Sequence, residues 1–386
     1  MRVLIASRIY RPEPAAASQF LGAVADALVE GGDEVTVLTA TPPEPLRPAP
    51  QGEKVKTAPV LRDRDGYVRG YLPYLSFDIP LAFRLLFARR PDVVLAEPPP
   101  TTGAVTRVVC ALRRIPYVYD AADVWSDAAN MATSSSLVIR ALRVVERFAM
   151  RGAVRLVTIS SGVVDRVRAL GVTVPMTVTG FGADTAQFSY READRQKLFV
   201  YAGSYSPWHG AEVLVDAFAA FSATHPGYTL RFIGNGTERE ELEALAAERG
   251  VGGQVEFLDP VPPEQLLPHL SSAVASLATL RPGTAYEYAF ATKTYSSLAA
   301  GCPVIFAGPG PTGPFLERAN EHVSAGWVCA HAADEIAEAM RRSCDEPPTA
   351  REREDLAEWV DRTHSLRAVA ATVAEVVRSV GAAGRR

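Results

Sequence analysis

What most limits the folds open to this chain is a rhythm repeated along both of its halves. Short β-branched runs alternate with amphipathic stretches of about ten to fifteen residues, the spacing of βαβ units. Strands separated by helix-length crossovers pair in parallel, because a tight turn can join only antiparallel neighbours. In the first half the strands read VLIAS, EVTVLTA, DVVLAE, PYVYDA and RLVTIS, with a helix from about Ser18 to Glu30. In the second they read KLFVYAGS, TLRFIGNG, QVEFLDP, VASLATL, PVIFAG and GWVCA. The pattern predicts two doubly wound α/β domains in tandem, residues 1–190 and 196–364, joined through the polar segment FSYREADRQK from Phe188 to Lys197. A further helix over 365–386 carries Leu366, Val369, Val373 and Val377 on one stripe, available to pack back on the first domain.

The 386 residues agree with two or three domains, at about 150 residues each. Hydrophobic residues at 48% and charged residues at 22% exclude a disordered chain. Charge interrupts every apolar run before the ~18 residues a membrane span needs, and the opening MRVLIASRIYRPEP reads as a first strand, so the expected compartment is the cytoplasm. Cys110, Cys302, Cys329 and Cys344 lie far apart, and the six histidines form no ligand-spaced pair, so no metal is expected. The first half is net basic and the second net acidic, which points to different electrostatic tasks, the first more suited to an anionic surface or acceptor.

Open parallel sheets bind ligands beyond the carboxyl ends of their strands, so the segments that follow strands are the candidates for chemistry. GSYSPWHG, Gly203 to Gly210, precedes a helix near Ala211, where glycines and free N–H groups suit a phosphate. Within it Ser204, Trp208 and His209 offer a hydroxyl, a flat apolar wall and a donor. Gly234-Asn235-Gly236 forms a second glycine turn. In RPGTAYEYAFATKTYSSLAAG, Arg281 and Lys293 are placed to neutralise a departing diphosphate, with Glu287 and Thr294 beside them. In DAADVWSD, Asp123 and Asp127 could orient a hydroxyl or cap a helix. No nucleophile elbow, phosphate-binding Walker loop or zincin motif is present, which leaves hydrolase, P-loop and zincin readings without their key residues.

Taken in order, MRVLIASRIYRPEP, GGDEVTVLTATPP, DAADVWSDA, TISSGV, FGADTAQF, YAGSYSPWHGAEVLVDAF, RFIGNGTEREELEAL and KTYSSLAAGCPVIFAG resemble the retaining glycosyltransferases of family 4, most nearly those of the polysaccharide-building type. The resemblance implies the GT-B fold, two Rossmann-like domains facing a cleft. It implies a nucleotide sugar, UDP- or GDP-linked, held by the second domain, and a glycan, lipid-linked or small-molecule acceptor held by the first. No other cofactor, no metal and no nucleic acid is implied. Gly203 and His209 then fall in the loop that contacts the diphosphate, with Ser204, Trp208 and Gly210 around them. Gly234, Asn235 and Gly236 fall where the nucleoside is held, and Lys293 opens the helix beneath the donor. Arg281, Glu287 and Thr294 complete the donor side, and Asp123 and Asp127 lie on the acceptor side.

The chain departs from the family in three places. Ser204 and His209 stand where the family grips phosphate with Arg and Lys, which leaves charge compensation to His209, Arg281 and Lys293. Tyr288 and Ser296 occupy the positions of the Glu-x7-Glu pair. Ala15, Ala16 and Ala17 replace the Gly-Gly turn after the first strand. An epimerase on the same fold and a non-catalytic partner that keeps the fold stay open as alternatives. Arg140, Arg143, Arg147 and Arg151 recur at helical spacing, either as a solvated face or as a stripe resting on an anionic membrane around a lipid-linked acceptor.

Overall fold

The computed structural model describes residues 1–384 apart from 14, 44–45, 48–49, 64–67, 69, 128–134 and 285. The chain divides into two compact units, Met1–Phe181 together with the residues from Leu366 onward, and Gly182–Ser365.

The first unit is built on β1 (Arg2–Ala6), β2 (Glu34–Ala40), β3 (Lys54–Ala58), β4 (Val93–Ala96), β5 (Tyr117–Ala121), β6 (Arg155–Thr158) and β7 (Met176–Val178). They form one parallel sheet in the order β3-β2-β1-β4-β5-β6-β7. Its helices are α1 (Ala16–Glu30), α2 (Tyr71–Phe87), α3 (Pro100–Arg113), α4 (Ser136–Gly152) and α5 (Ser161–Ala169). The second unit runs β8 (Leu198–Ala202), α6 (Glu212–Ser222), β9 (Thr229–Ile233), α7 (Arg239–Glu248), β10 (Val255–Leu258), α8 (Pro263–Ser272), β11 (Ala275–Thr279), α9 (Lys293–Ala299), β12 (Val304–Ala307), α10 (Thr312–Ala319), β13 (Gly326–Cys329), α11 (Ala333–Asp345) and α12 (Ala350–His364). Its sheet is also parallel, in the order β10-β9-β8-β11-β12-β13. A parallel sheet is covered on both faces, and the central strands β4, β5, β8, β11 and β12 are accordingly buried along their whole length.

The last helix, α13 (Leu366–Ala383), returns to the first unit. Val369, Val373 and Val377 pack with Leu21, Val24 and Leu28 of α1 in one buried cluster. Asp33 fixes both elements: it accepts from the Met1 amine at 2.8 Å and from Arg378 Nε at 2.7 Å. Right-handed crossovers place α2, α3 and α4 side by side on the sheet's other face.

Two features differ from the sequence reading. The polar segment Phe188–Lys197 is not the joint, because the chain changes units at Phe181 and Gly182. Backbone and side-chain bonds hold the residues that follow: Ala183 N–H donates to His364 O at 2.7 Å, the Thr185 hydroxyl donates to Asp361 at 2.6 Å, and Arg195 reaches the Pro348 carbonyl. The strands β3 and β7 were also not expected. They lie at the sheet edge, where one is mostly exposed and the other is three residues long, so neither carries a buried apolar run.

Candidate functional site

The second sheet reverses its strand order between β8 and β11, the place where an open sheet leaves a crevice at its carboxyl edge. Gly203 follows β8 with φ +134°, and Gly234 follows β9 with φ +148°. A Cβ on Gly234 would lie 2.1 Å from Gly203 O, and one on Gly236 would lie 2.2 Å from Tyr205 O. The two turns therefore stack backbone on backbone, a contact only glycine allows. They open on a pocket of about 380 Å³, lined on its polar side by Gly203, Ser204, Asn235 and Lys293. Pro260, Val261, Leu266 and Leu270 form an apolar wall.

Lys293 is the first residue of α9, and its Nζ sits 3.4 Å from the centre of the Tyr201 ring. Part of the side chain reaches solvent, but the nitrogen itself is buried and has no hydrogen-bond partner. Burial holds its pKa well below the usual lysine value. A Cβ on Gly203 would stand 3.3 Å from that nitrogen, so the bare backbone leaves room for an ion there.

His209 was expected to help compensate charge, and the structure corrects this. Burial, followed by the Lys293 charge, pushes its pKa down to about 4, so the ring is neutral at pH 7. Its Nδ1 accepts from the Ser206 N–H at 3.3 Å, which assigns the hydrogen to Nε2. His209 supplies a dipole and not a charge. Arg281 is likewise engaged, with its guanidinium 2.7 Å from Glu212 and 3.8 Å from Glu238. Of the three candidates, Lys293 is the cation left without a carboxylate.

The other donor-side residues hold the loops. The Ser204 carbonyl accepts from the Tyr201 hydroxyl at 2.9 Å, and Asn235 Oδ1 accepts from the Gly236 N–H at 2.8 Å. Trp208 stacks on Tyr286 at 5.6 Å, and its carbonyl accepts from the Arg281 N–H at 2.9 Å. Gly210, at φ +64°, has its carbonyl 3.0 Å from His331 Nε2. The Glu287 carboxylate accepts from the Gly283 N–H, and the Thr294 hydroxyl is buried without a partner. Trp208, His209, Gly210, Gly236, Arg281, Glu287 and Thr294 are not among the residues lining the pocket.

In the first unit the order reverses between β1 and β4; Ser7, Arg8 and Glu97 there escaped the sequence reading, and Asp120, the first residue of DAADVWSD, was given no role in it. Ser7 Oγ lies 2.6 Å from Ile9 O and 2.9 Å from Glu97 Oε2. Its single hydrogen serves one of them, so a protonated Glu97 can donate back to Ser7 while Ser7 donates to Ile9. Burial pushes the Glu97 carboxyl up to about 7, against the pull of Arg8. Burial, then repulsion from Glu97 and Asp123, pushes Asp120 up to about 8. Arg8 lies over the rings of Tyr74 and Trp125 at 5.5 and 5.9 Å. The signal was available, since Glu97 ends the apolar run DVVLAE at a strand's carboxyl end.

Asp123 is exposed beside this group. Asp127 is buried in an ion pair with Arg166 at 2.6 Å, a structural use of its carboxylate. Ala15 is the extended N-cap of α1, without a side-chain cap, and Ala16 and Ala17 form the first turn. Arg140, Arg143 and Arg151 are exposed on α4 and Arg147 is half-buried, while Arg151 Nη2 donates to Gly171 O at 2.8 Å. Among the described residues, no helix is long and apolar enough to cross a membrane, and no group of three or more His, Cys, Asp or Glu could hold a metal ion.

Residues 16–182 match the family described as Glycosyl transferase 4-like domain, and residues 183–359 match Glycosyl transferases group 1. A D-inositol 3-phosphate glycosyltransferase of Acidothermus cellulolyticus is 31% identical over 119 residues, 28% of this chain and 25% of that protein. The chain thus matches about a quarter of that relative's length. Among solved structures, sucrose-phosphate synthase from Thermosynechococcus elongatus has a TM-score of 0.69 at 18% identity, covering 99% of this chain and 100% of that one. HepE of Anabaena, solved in complex with UDP, has a TM-score of 0.70 at 17% identity, covering 98% and 100%. At such identities the shared feature is the fold. The two family matches adjoin within one residue of the place where the two compact units divide, and between them they take in most of the sequence. The chain therefore belongs to the glycosyltransferases, with a family 4-like first domain and a group 1 second domain in the GT-B fold.

Proposed function

We propose that the chain moves a sugar from a nucleoside diphosphate donor, UDP- or GDP-linked, to an acceptor hydroxyl with retention at the anomeric carbon. The observation that carries this reading is the buried, unpartnered Lys293 ammonium beside the bare backbone of Gly203. That the similarly folded HepE was solved with UDP supports a nucleotide in this place. As the glycosidic bond breaks, negative charge grows on the leaving diphosphate, and fixed donors aimed at it lower the barrier. Lys293 meets that charge and the Nε2–H of neutral His209 adds a dipole, while Gly203 and Gly234 let the phosphates approach the main chain. The apolar wall from Pro260 to Leu270 receives the base.

The acceptor, on a glycan, a small molecule or a lipid, belongs to the first unit, with Asp123 orienting its hydroxyl. A phosphate oxygen of the leaving group takes the hydroxyl proton, so no protein base is required.

A thermal-shift panel with UDP, GDP, dTDP and ADP, free and sugar-linked, tests the donor site, because a ligand of the folded state raises its apparent stability. A selective rise with one base is expected. Lys293→Ala should lower turnover by about a hundredfold or more, the worth of one such donor. Full activity in that variant, or no shift with any nucleotide, would sink the assignment. An NMR spectrum of the product showing the inverted anomer would remove retention alone.

A further inference from the structure

Helix α2 is apolar on two opposite sides. Phe77, Leu81 and Leu85 face the core, and on the far side Leu72, Leu75, Ile79, Phe83, Leu86 and Phe87 follow helical spacing. These six are 37–79% exposed, with Phe87 at the upper end. A surface helix ordinarily turns charged residues outward, and one apolar all round is ordinarily covered. At 17 residues α2 presents this ridge over about 25 Å. Its neighbours extend it, through Leu112 of α3 at 73% exposure and Leu137 of α4 at 75%.

Charge identifies what covers the ridge. The acidic residues within α2, α3 and α4 are Asp78 and Glu146, and both are buried. Asp78 accepts from the Thr102 hydroxyl at 2.6 Å, and Glu146 accepts from the N–H groups of Trp125 and Ser126 at 2.6 and 3.1 Å. The exposed charges of this layer are arginines, Arg140, Arg143 and Arg151 on α4, with Arg89 and Arg90 just beyond α2. Packing this face against a second copy would place arginines on both sides of the interface with no exposed acidic residue of α2, α3 or α4 to pair them. An anionic lipid surface meets both properties, taking the apolar ridge below the headgroups and the guanidinium groups at their level.

We infer that the α2–α3–α4 face of the first unit is a membrane-docking surface, in which the α2 ridge enters an anionic leaflet and the arginines bind its headgroups. This goes beyond the proposed transfer reaction and is tested without it. The intact protein is sedimented with vesicles of phosphatidylcholine alone and of phosphatidylcholine with phosphatidylglycerol, with neither donor nor acceptor present. Binding is expected only to the anionic vesicles, weakening as salt rises. The triple variant Ile79→Ser, Phe83→Ser, Phe87→Ser should lose about tenfold or more in partition. Its Tm and its turnover of a soluble acceptor should stay unchanged, since all three side chains already face water. Arg140→Glu with Arg143→Glu tests the same surface without touching an apolar residue, and each arginine reversed should cost about fivefold or more. Equal binding to both vesicle types, or none to either, would overturn the inference. So would a dimer in sedimentation velocity that the triple variant dissolves while neither protein binds vesicles, which would assign the face to a second copy.

Discussion

At Lys293 stability and chemistry pull in opposite directions. The unfolded chain gives this ammonium water, whereas the folded pocket gives it the Tyr201 ring and nothing to bond. Its folded pKa lies below the unfolded value, so the penalty on the charged form is complete at low pH and relieved as pH rises toward about 10.4. Lys293→Met should therefore raise the Tm at neutral pH while abolishing fast turnover, and a Tm–pH series should lose its upward slope in alkali. A diphosphate favours the charged form, so nucleotide binding should raise the Lys293 pKa from its depressed value. Wild-type affinity for the nucleotide should fall as pH rises, and titration calorimetry on Lys293→Met should find that dependence gone.

The carboxyls of Glu97 and Asp120 act with the opposite sign. Their folded pKa values are raised, so their stability contribution is complete below about 4 and lost as pH climbs through about 7 and about 8. Glu97→Gln should flatten that decline. The glycine turns and Lys293 could be singled out because open parallel sheets leave a crevice beyond their strands' carboxyl ends, and all of them follow strands of the second sheet. The carboxyl pair was not, since an acid after a strand reads equally well as solvated loop until the sheet order places two of them together.

Among the elements, α8 and α12 depend on one buried cation. Arg353, 4% exposed, donates to the carbonyls of Gly301, Ala273 and Leu270 at 2.5, 3.1 and 3.1 Å. Losing it strands three acceptors, two of them at the carboxyl end of α8. Arg353→Met should cost about 3 kcal/mol or more in urea unfolding, with the slope unchanged. The same scale explains which strands the sequence announced. Buried parallel strands need unbroken apolar runs, and VVLA, LFVYA and VIFA supply them. The edge strand KVKTA has one side in water and reads as a charged loop. Helix α2 escaped for a related reason: periodicity finds one apolar stripe, and two opposite stripes leave no contrast.

Across the whole molecule the second unit is an insertion within the first. Residues 182–365 carry their own sheet and core, so that fragment should unfold cooperatively and give the same nucleotide-induced thermal shift as the intact chain. Residues 1–181 without α13 should not, because Val369, Val373 and Val377 each contribute roughly 1.5 kcal/mol or more of burial, together a large part of a domain's net stability. Raised fluorescence of a dye that binds exposed apolar surface would report the uncovered face of α1.

The return of α13 also orders events on the ribosome. Synthesis proceeds at about 5–20 residues per second, and domains tend to fold as they emerge. The second unit can close as soon as Ser365 clears the exit tunnel, whereas the first must keep the apolar face of α1 waiting until the helix after it is made. The half of the protein translated first is therefore the half that finishes folding last. A chaperone that holds nascent chains should engage it at α1 and release it when α13 arrives.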